Sequence, residues 1–365
     1  MSEFILIIVW LGIMALAARK KEYKRIEEVC GKCEERYRLG FALLVFAPII
    51  WMAGTRGFVG DTWMYYKNFE EMPSKLSELL PYILKNAKDT GFYGASALIK
   101  IFIGNSFIAY LMIIALIQGI AIILVYRKYS ISFIFSVFLF VISTDYVAWM
   151  HNGMRQFTAV TIIFAATTLL LKEKYAPIIA VILVASTIHQ SALLMIPLVF
   201  IAHGEAWNKK TLMFIALALL AILFVGEFTD LLDVVLEETQ YENVVSDYKR
   251  FEDDGTNPLR VIVYSIPAVL AFLGRKIIRK VDNPLINFCT NMSIISAGLY
   301  LISMVTSGIY MGRLPIYASL YGYILLPWEI ENIFNRESRR IIYAGVLVCY
   351  FIFYYYQMHF TWGLL

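Results

Sequence analysis

Charge is scarce in this chain of 365 residues: Asp, Glu, Lys and Arg together make up only 16% of it. Histidine and cysteine are scarcer, four of each. No His-Glu-x-x-His or Asp-x-Asp motif occurs, so no metal-ligand set is expected. Cys30, Cys33, Cys289 and Cys349 are too few and too scattered for a disulfide framework. Cys30-Gly-Lys-Cys33 is half of a zinc or redox motif, but no second pair completes it, and it reads as two incidental thiols in a basic loop. No glycine-rich phosphate loop follows a strand, which leaves the chain without a nucleotide motif. A net charge of only +4, spread over short loops, excludes a nucleic-acid-binding face. What the chain has in excess is apolar: 60% hydrophobic residues, against about 45–50% in soluble domains, and a mean hydropathy of +0.67. Stretches such as 107–126 and 130–147 approach the roughly 20 residues that cross a bilayer. The expected fold is all-α, a polytopic membrane protein in one domain.

Lys and Arg of short loops mark the cytoplasmic side. Residues 19–38 carry eight of them, which puts the N-terminus outside. The positive charges of the first segment follow its apolar run, so 1–18 reads as a retained membrane helix and not a signal peptide. Further spans are expected at 39–55, 106–126, 130–148, 153–171, 211–226, 259–274, 284–306, 313–330 and 341–360. The passage 176–201 decides the topology. As one span it would place Lys209, Lys210, Arg275, Lys276, Arg279, Lys280, Arg336, Arg339 and Arg340 outside. As a short or re-entrant pair turning near Ile188-His189-Gln190, it keeps every basic loop inside and brings the total to about 11–12 helices. Irregular backbone at that depth needs a protein or water-lined surround.

Two external segments remain, 56–105 and 227–258. Leu76, Leu79, Leu80, Ile83 and Leu84 in the first, and Phe228, Leu231, Leu232, Val235 and Leu236 in the second, repeat at the spacing of one helix face. Both predict amphipathic helices on the outer surface. The acidic stretch 237–254 reads as a solvated flap or a lid.

The few charges left within reach of the outer face are arginines at span ends: Arg56, Arg155, Arg260 and Arg313. Asn152 is a plausible cap before Arg155, and Pro258 and Pro315 sit at first-turn positions near Arg260 and Arg313. A helix N-terminus presents unpaired N–H groups, and arginine adds a bidentate fork for phosphate oxygens. Singly, each arginine also fits an interfacial anchor; together they predict an outward anion site. Asp61, His151, Gln156 and the His189-Gln190-Ser191 turn supply polar groups nearby. His189 fits either a buried structural histidine or a proton acceptor. Trp63, Tyr65, Tyr66, Phe92 and Tyr93 offer faces for sugar rings, whereas Tyr354, Tyr355, Tyr356 and Trp362 read as belt residues.

These residues resemble the EpsG-type, Wzy-like polysaccharide polymerases of bacteria. The resemblance rests on Arg56-Gly-x-x-Gly-Asp61-Thr62 followed by Tyr65 or Tyr66 and by Phe69; on Asn152-Gly-Met-Arg155-Gln156 with Ala159; on His189-Gln-Ser191-Ala192; and on Gly312-Arg313 with Tyr317. It implies a GT-C-like helical body in the cytoplasmic (inner) membrane, facing outward. The implied enzyme is a membrane glycosyltransferase that polymerises oligosaccharide repeat units carried on undecaprenyl diphosphate, as in exopolysaccharide, capsule or O-antigen synthesis. It needs no nucleotide and no cofactor, and its partners are the lipid-linked glycan, membrane lipid and, as a further candidate, a chain-length regulator. Arg155 and Arg313 would hold the diphosphate, with Arg56, Arg260, Gln156, Tyr65, Tyr66 and His151 as further substrate contacts; Asp61 or His189 would take the acceptor proton. An O-antigen-ligase-like transferase shares this chemistry. A flippase for lipid-linked sugars would instead use midplane polar residues, of which Gln118, Asn287 and Asn291 are the candidates.

Overall fold

The computed structural model of the chain describes residues 3–85, 88–236 and 255–365; the expected flap at 237–254, with Lys249 and Arg250, lies outside them. The fold is all-α, a polytopic membrane protein, with one small hairpin among the described residues. Among the described residues three helices are long and apolar enough to cross a bilayer, and three bent pairs pass the same test of length and composition. The chain divides into two compact units, Met1–Leu194 with Tyr350–Leu365, and Met195–Cys349.

The first unit opens with α1 (Glu3–Ala17). Where a basic loop is expected, β1 (Lys24–Val29) and β2 (Lys32–Tyr37) pair antiparallel. Their two-residue turn is Cys30-Gly31, with φ of 50° and 78°, the doubly positive geometry that matches strand twist. Arg127 binds Glu27 and the Tyr37 carbonyl, and Arg36 donates to the Lys128 carbonyl at 2.7 Å, so the hairpin docks on the end of a neighbouring helix.

That neighbour is α6 (Phe107–Tyr129), which packs along α2 (Leu39–Thr55). Two glycines permit the approach: a Cβ on Gly54 would lie 2.9 Å from the Met112 Cα, and one on Gly119 would lie 2.6 Å from Ile50. Small residues at such contacts let backbones close in where lipid supplies no hydrophobic drive between helices. Gln118 then ties α6 to α8 (Met154–Ala165), donating to the Met154 carbonyl at 3.0 Å and to Thr158 at 2.9 Å.

Between α2 and α6 lie α3 (Thr62–Glu71), α4 (Leu79–Lys85) and α5 (Thr90–Ile103). The expected amphipathic helix is α4, with Leu80 and Leu84 exposed and Leu79 packed inward. Sequence periodicity missed α5, whose buried Lys100 donates to the carbonyls of Phe69, Glu70 and Met72 at 2.7–2.9 Å and so satisfies the end of α3.

The expected straight span 130–148 is broken. α7 (Phe133–Ile142) ends at Ser143, Thr144 takes a left-handed φ of 63°, and a wide turn of helix, Tyr146–Asn152, leaves at 73°. Left-handed backbone is an outlier for a β-branched residue, and an apolar run gives no hint of it. The span 153–171 likewise divides, into α8 and α9 (Thr167–Leu171). α10 (Tyr175–Ile188) ends where the sequence places the turn, with His189 extended at φ −155°, ψ 119°. Tyr354, expected in the aromatic belt, is instead buried: its hydroxyl lies 2.9 Å from that of Tyr146 and donates to the Phe4 carbonyl.

The second unit contains α11 (Met195–Ala202), α12 (Lys209–Leu223), α13 (Val225–Leu236), α14 (Pro258–Leu273), α15 (Arg275–Val281), α16 (Pro284–Val305), α17 (Ile316–Ser319) and α18 (Gly322–Ile333). The last helix, α19 (Arg336–Tyr356), begins in it. α16 is its axis, touching α11, α12, α14, α17 and α18. α13 turns away from α12 by 106°; Phe228 and Leu232 pack inward while Leu231 is exposed, the amphipathic pattern its spacing predicts. Asn291 is a packing residue here: it accepts from the Trp207 N–H at 2.9 Å and donates to the carbonyls of Ala202 and Glu205. Glu329 is a charged side chain that the sequence reading did not single out. It is fully buried in α18, and neither carboxyl oxygen meets a hydrogen-bond partner among the described residues.

Candidate active site

In the first unit four chain segments converge: the α2–α3 loop, the start of α5, the start of α8 and the end of α10. The α2–α3 loop is shaped by Arg56. Its guanidinium donates to the Ala53 carbonyl at 2.5 Å, to Thr62 Oγ1 at 3.1 Å and to the Met154 sulfur at 3.4 Å. A cation there complements the negative end of α2. Gly60 follows at φ +54°, and a Cβ on it would lie 2.3 Å from Asn152 Oδ1. That oxygen accepts the Asp61 backbone N–H at 2.9 Å. Asn152 is therefore not the cap of α8, as expected; Gly153 holds that position, and Asn152 clamps the loop to it. Asp61 precedes α3, and its side chain makes no capping bond. The carboxylate is exposed, with no hydrogen-bond partner among the described residues.

Arg155 lies in the first turn of α8 and is held from three sides. It donates from Nη1 to Asp89 Oδ2 at 2.8 Å and to Tyr93 Oη at 3.3 Å; the guanidinium sits 5.7 Å from the Tyr93 ring centre; and its backbone N–H points to Tyr65 Oη at 3.4 Å. The Arg155 side chain keeps 35% of its surface exposed while Asp89 keeps 2%. Burial pushes the Asp89 carboxyl above its usual range, opposed by Arg155, the Gln190 backbone N–H and Lys88. Asp89 itself is left-handed at φ 50°, a conformation that Asp and Asn tolerate better than most residues. Sequence reasoning missed Asp89, because its partner is 66 positions away; the only signal was an Asp directly before a helix start.

Beside this pair, Gly91 abuts Thr187 at the end of α10, and His189 Nδ1 lies 2.7 Å from Ser191 Oγ. The two candidate tyrosines separate. Tyr65 is buried and serves the scaffold. Tyr66 stacks on Trp63, 5.8 Å between centres at 21°, and Phe58 stands edge-on to both. Phe58 and Trp63 are exposed. His151 and Gln156 are buried; His151 Nδ1 lies 2.9 Å from the Tyr146 carbonyl.

The second unit holds the other two arginines. Arg260 is in the first turn of α14, capped by Asn257 accepting from Leu259 N–H at 2.9 Å, and its guanidinium lies 5.6 Å from the Tyr264 ring centre. Arg313 does not open a long helix: it closes a three-residue turn, Met311–Arg313, and Pro315 precedes a helix of only four residues. The two segments meet within this unit. Gly312 is pressed against Thr256, where a Cβ would lie 2.5 Å from Oγ1, and Thr256 bonds Ser303 at 2.8 Å.

An apolar helical body that carries arginines, an exposed carboxylate and aromatic faces on its connecting segments is that of a polytopic membrane protein. The EpsG family model matches residues 40–362, nearly the whole chain, and the chain belongs to that family. EpsG is a family of Wzy-like polysaccharide polymerases, so the role is of the polysaccharide-polymerase type. No curated protein and no solved structure matches the chain.

Proposed function

We propose that the chain is a glycosyltransferase of the bacterial cytoplasmic membrane that joins oligosaccharide repeat units on its outer face. The donor is a glycan on undecaprenyl diphosphate, and the acceptor is a sugar hydroxyl of a second lipid-linked unit. The bond from the acceptor oxygen to the anomeric carbon forms as the bond from that carbon to the diphosphate breaks. The acceptor proton passes to a base, and the electron pair leaves with the lipid diphosphate. Cations placed where that charge develops lower the barrier.

The observation that carries this reading is the clamp between Asp61 and the start of α8: Asn152, three residues before Arg155, holds the loop of a carboxylate that has no hydrogen-bond partner among the described residues. Arg155 takes the diphosphate, with Arg56 ordering the loop. Arg260 and Arg313 are the remaining diphosphate candidates, on the second unit. Asp61 is favoured over His189 as the base because its carboxylate is exposed and has no hydrogen-bond partner among the described residues, whereas the His189 ring is engaged by Ser191. The Phe58–Trp63–Tyr66 faces suit the apolar side of an acceptor sugar.

The test is incubation of purified protein with a defined lipid-linked repeat alone. A ladder of multiples supports polymerisation. Product only on addition of a different acceptor indicates a ligase, and no product, with lipid-linked sugar crossing a vesicle membrane instead, indicates a flippase. Asp61→Asn should reduce the ladder rate by roughly 10²-fold or more, the size of a general-base contribution.

A further inference from the structure

The ion pair at Arg155 has a feature that a plain phosphate-binding arginine lacks: a buried acid already neutralises it. Asp89 Oδ2 lies 2.8 Å from Arg155 Nη1. Its other oxygen, Oδ1, is buried without a hydrogen-bond partner among the described residues. Arg155 does not need that charge for its orientation, since Tyr93 stacks beneath it and also accepts from Nη1, and the α8 backbone fixes its root. In this pair the acid is 2% exposed and the arginine 35%. The guanidinium can therefore meet an incoming anion while the acid stays in place behind it.

A fixed negative charge within reach of a bound diphosphate weakens that binding through Coulomb repulsion that solvent screens only partly. Lipid diphosphate is both the donor's handle and the leaving product. An arginine with full attraction would hold the product after the sugar has left, and release would limit turnover.

Resting on the diphosphate reading of Arg155, we propose that Asp89 is a charge-tuning residue, a resident counter-charge that keeps Arg155 from retaining the diphosphate product. The backbone at φ 50° accepts Asn and Gly, so Asp89→Asn and Asp89→Gly both remove the charge without straining the chain. Asn also preserves an acceptor for Arg155.

The experiment measures inhibition of ladder formation by inorganic pyrophosphate in the purified full-length protein. In both variants the half-inhibiting concentration should fall roughly tenfold, the scale of one partly screened charge. In Asp89→Asn the half-saturating donor concentration and the maximal rate should fall together, the signature of tighter product retention. Asp89→Glu, which keeps the charge, should leave the half-inhibiting concentration closer to wild type than either uncharged variant does. An unchanged or higher half-inhibiting concentration in the uncharged variants overturns the proposal. Full activity in Arg155→Ala would instead remove the reading on which it rests, so the two failures are distinct.

Discussion

Asn152 Oδ1 accepts the backbone N–H of Asp61 at 2.9 Å, joining two loops that lie 91 residues apart. The contact requires Gly60 beside it, because any side chain there would occupy the space of the Asn152 amide and be strained at φ +54°. Gly60→Ala should destabilise the protein by about 3 kcal/mol, combining left-handed strain of roughly 1–2 kcal/mol per residue with the clash. In an Asn152→Ala background the clash vanishes and only the strain remains, so the second Gly60→Ala step should cost about 1–2 kcal/mol. Thermal unfolding of the four proteins in detergent measures this coupling. Additive effects would show that the two residues do not touch.

The Asp89 carboxyl, raised by burial, takes up a proton at a higher pH than the ordinary value of 3.8. The folded state therefore binds this proton more tightly than the unfolded chain. Its contribution to stability is full below 3.8 and is lost as pH rises through the folded value. The melting midpoint of wild type relative to Asp89→Asn should accordingly move in favour of wild type as pH falls through that window. A constant difference would contradict the shift.

Lys100 is buried under the end of α3 with three carbonyls as its partners. Lys100→Met keeps most of the side-chain length but leaves those carbonyls without a donor. A loss of roughly 3 kcal/mol is expected from the sum of unpaired buried acceptors, read as a lower melting midpoint. A neutral effect would mean that α5 does not close over α3.

The orientation of the chain has its own test. Cys30 and Cys33 are exposed in the hairpin between α1 and α2, the segment that the basic charges assign to the cytoplasm. In intact cells they should resist an impermeant thiol reagent and react after permeabilisation. With the native cysteines replaced, Lys209→Cys should behave in the same way; labelling from outside would overturn the paired reading of 176–201.

Composition by itself determined that the chain is a helical membrane protein, because burying so many apolar side chains in water has no soluble solution and the bilayer requires closed backbone hydrogen bonding. Local signals also carried the break at His189, the first-turn proline of α14 and the amphipathic faces of α4 and α13, each set by a few neighbouring residues. The hairpin was legible in principle, since Cys30-Gly31 is a two-residue turn between strand-like runs, but the density of charge concealed it. Tertiary structure decided the rest. Whether Asn152 caps α8 or clamps Asp61 depends on a loop 91 positions away, and no periodicity in one helix encodes a partner in another. The same holds for Asp89 and Arg155, and for Tyr65 turned inward while Tyr66 stacks outward one residue later. The sequence fixes which residues carry charge and faces; only packing at hydrogen-bond distance selects which of them meet, because that energy exists solely between groups the folded chain has brought together.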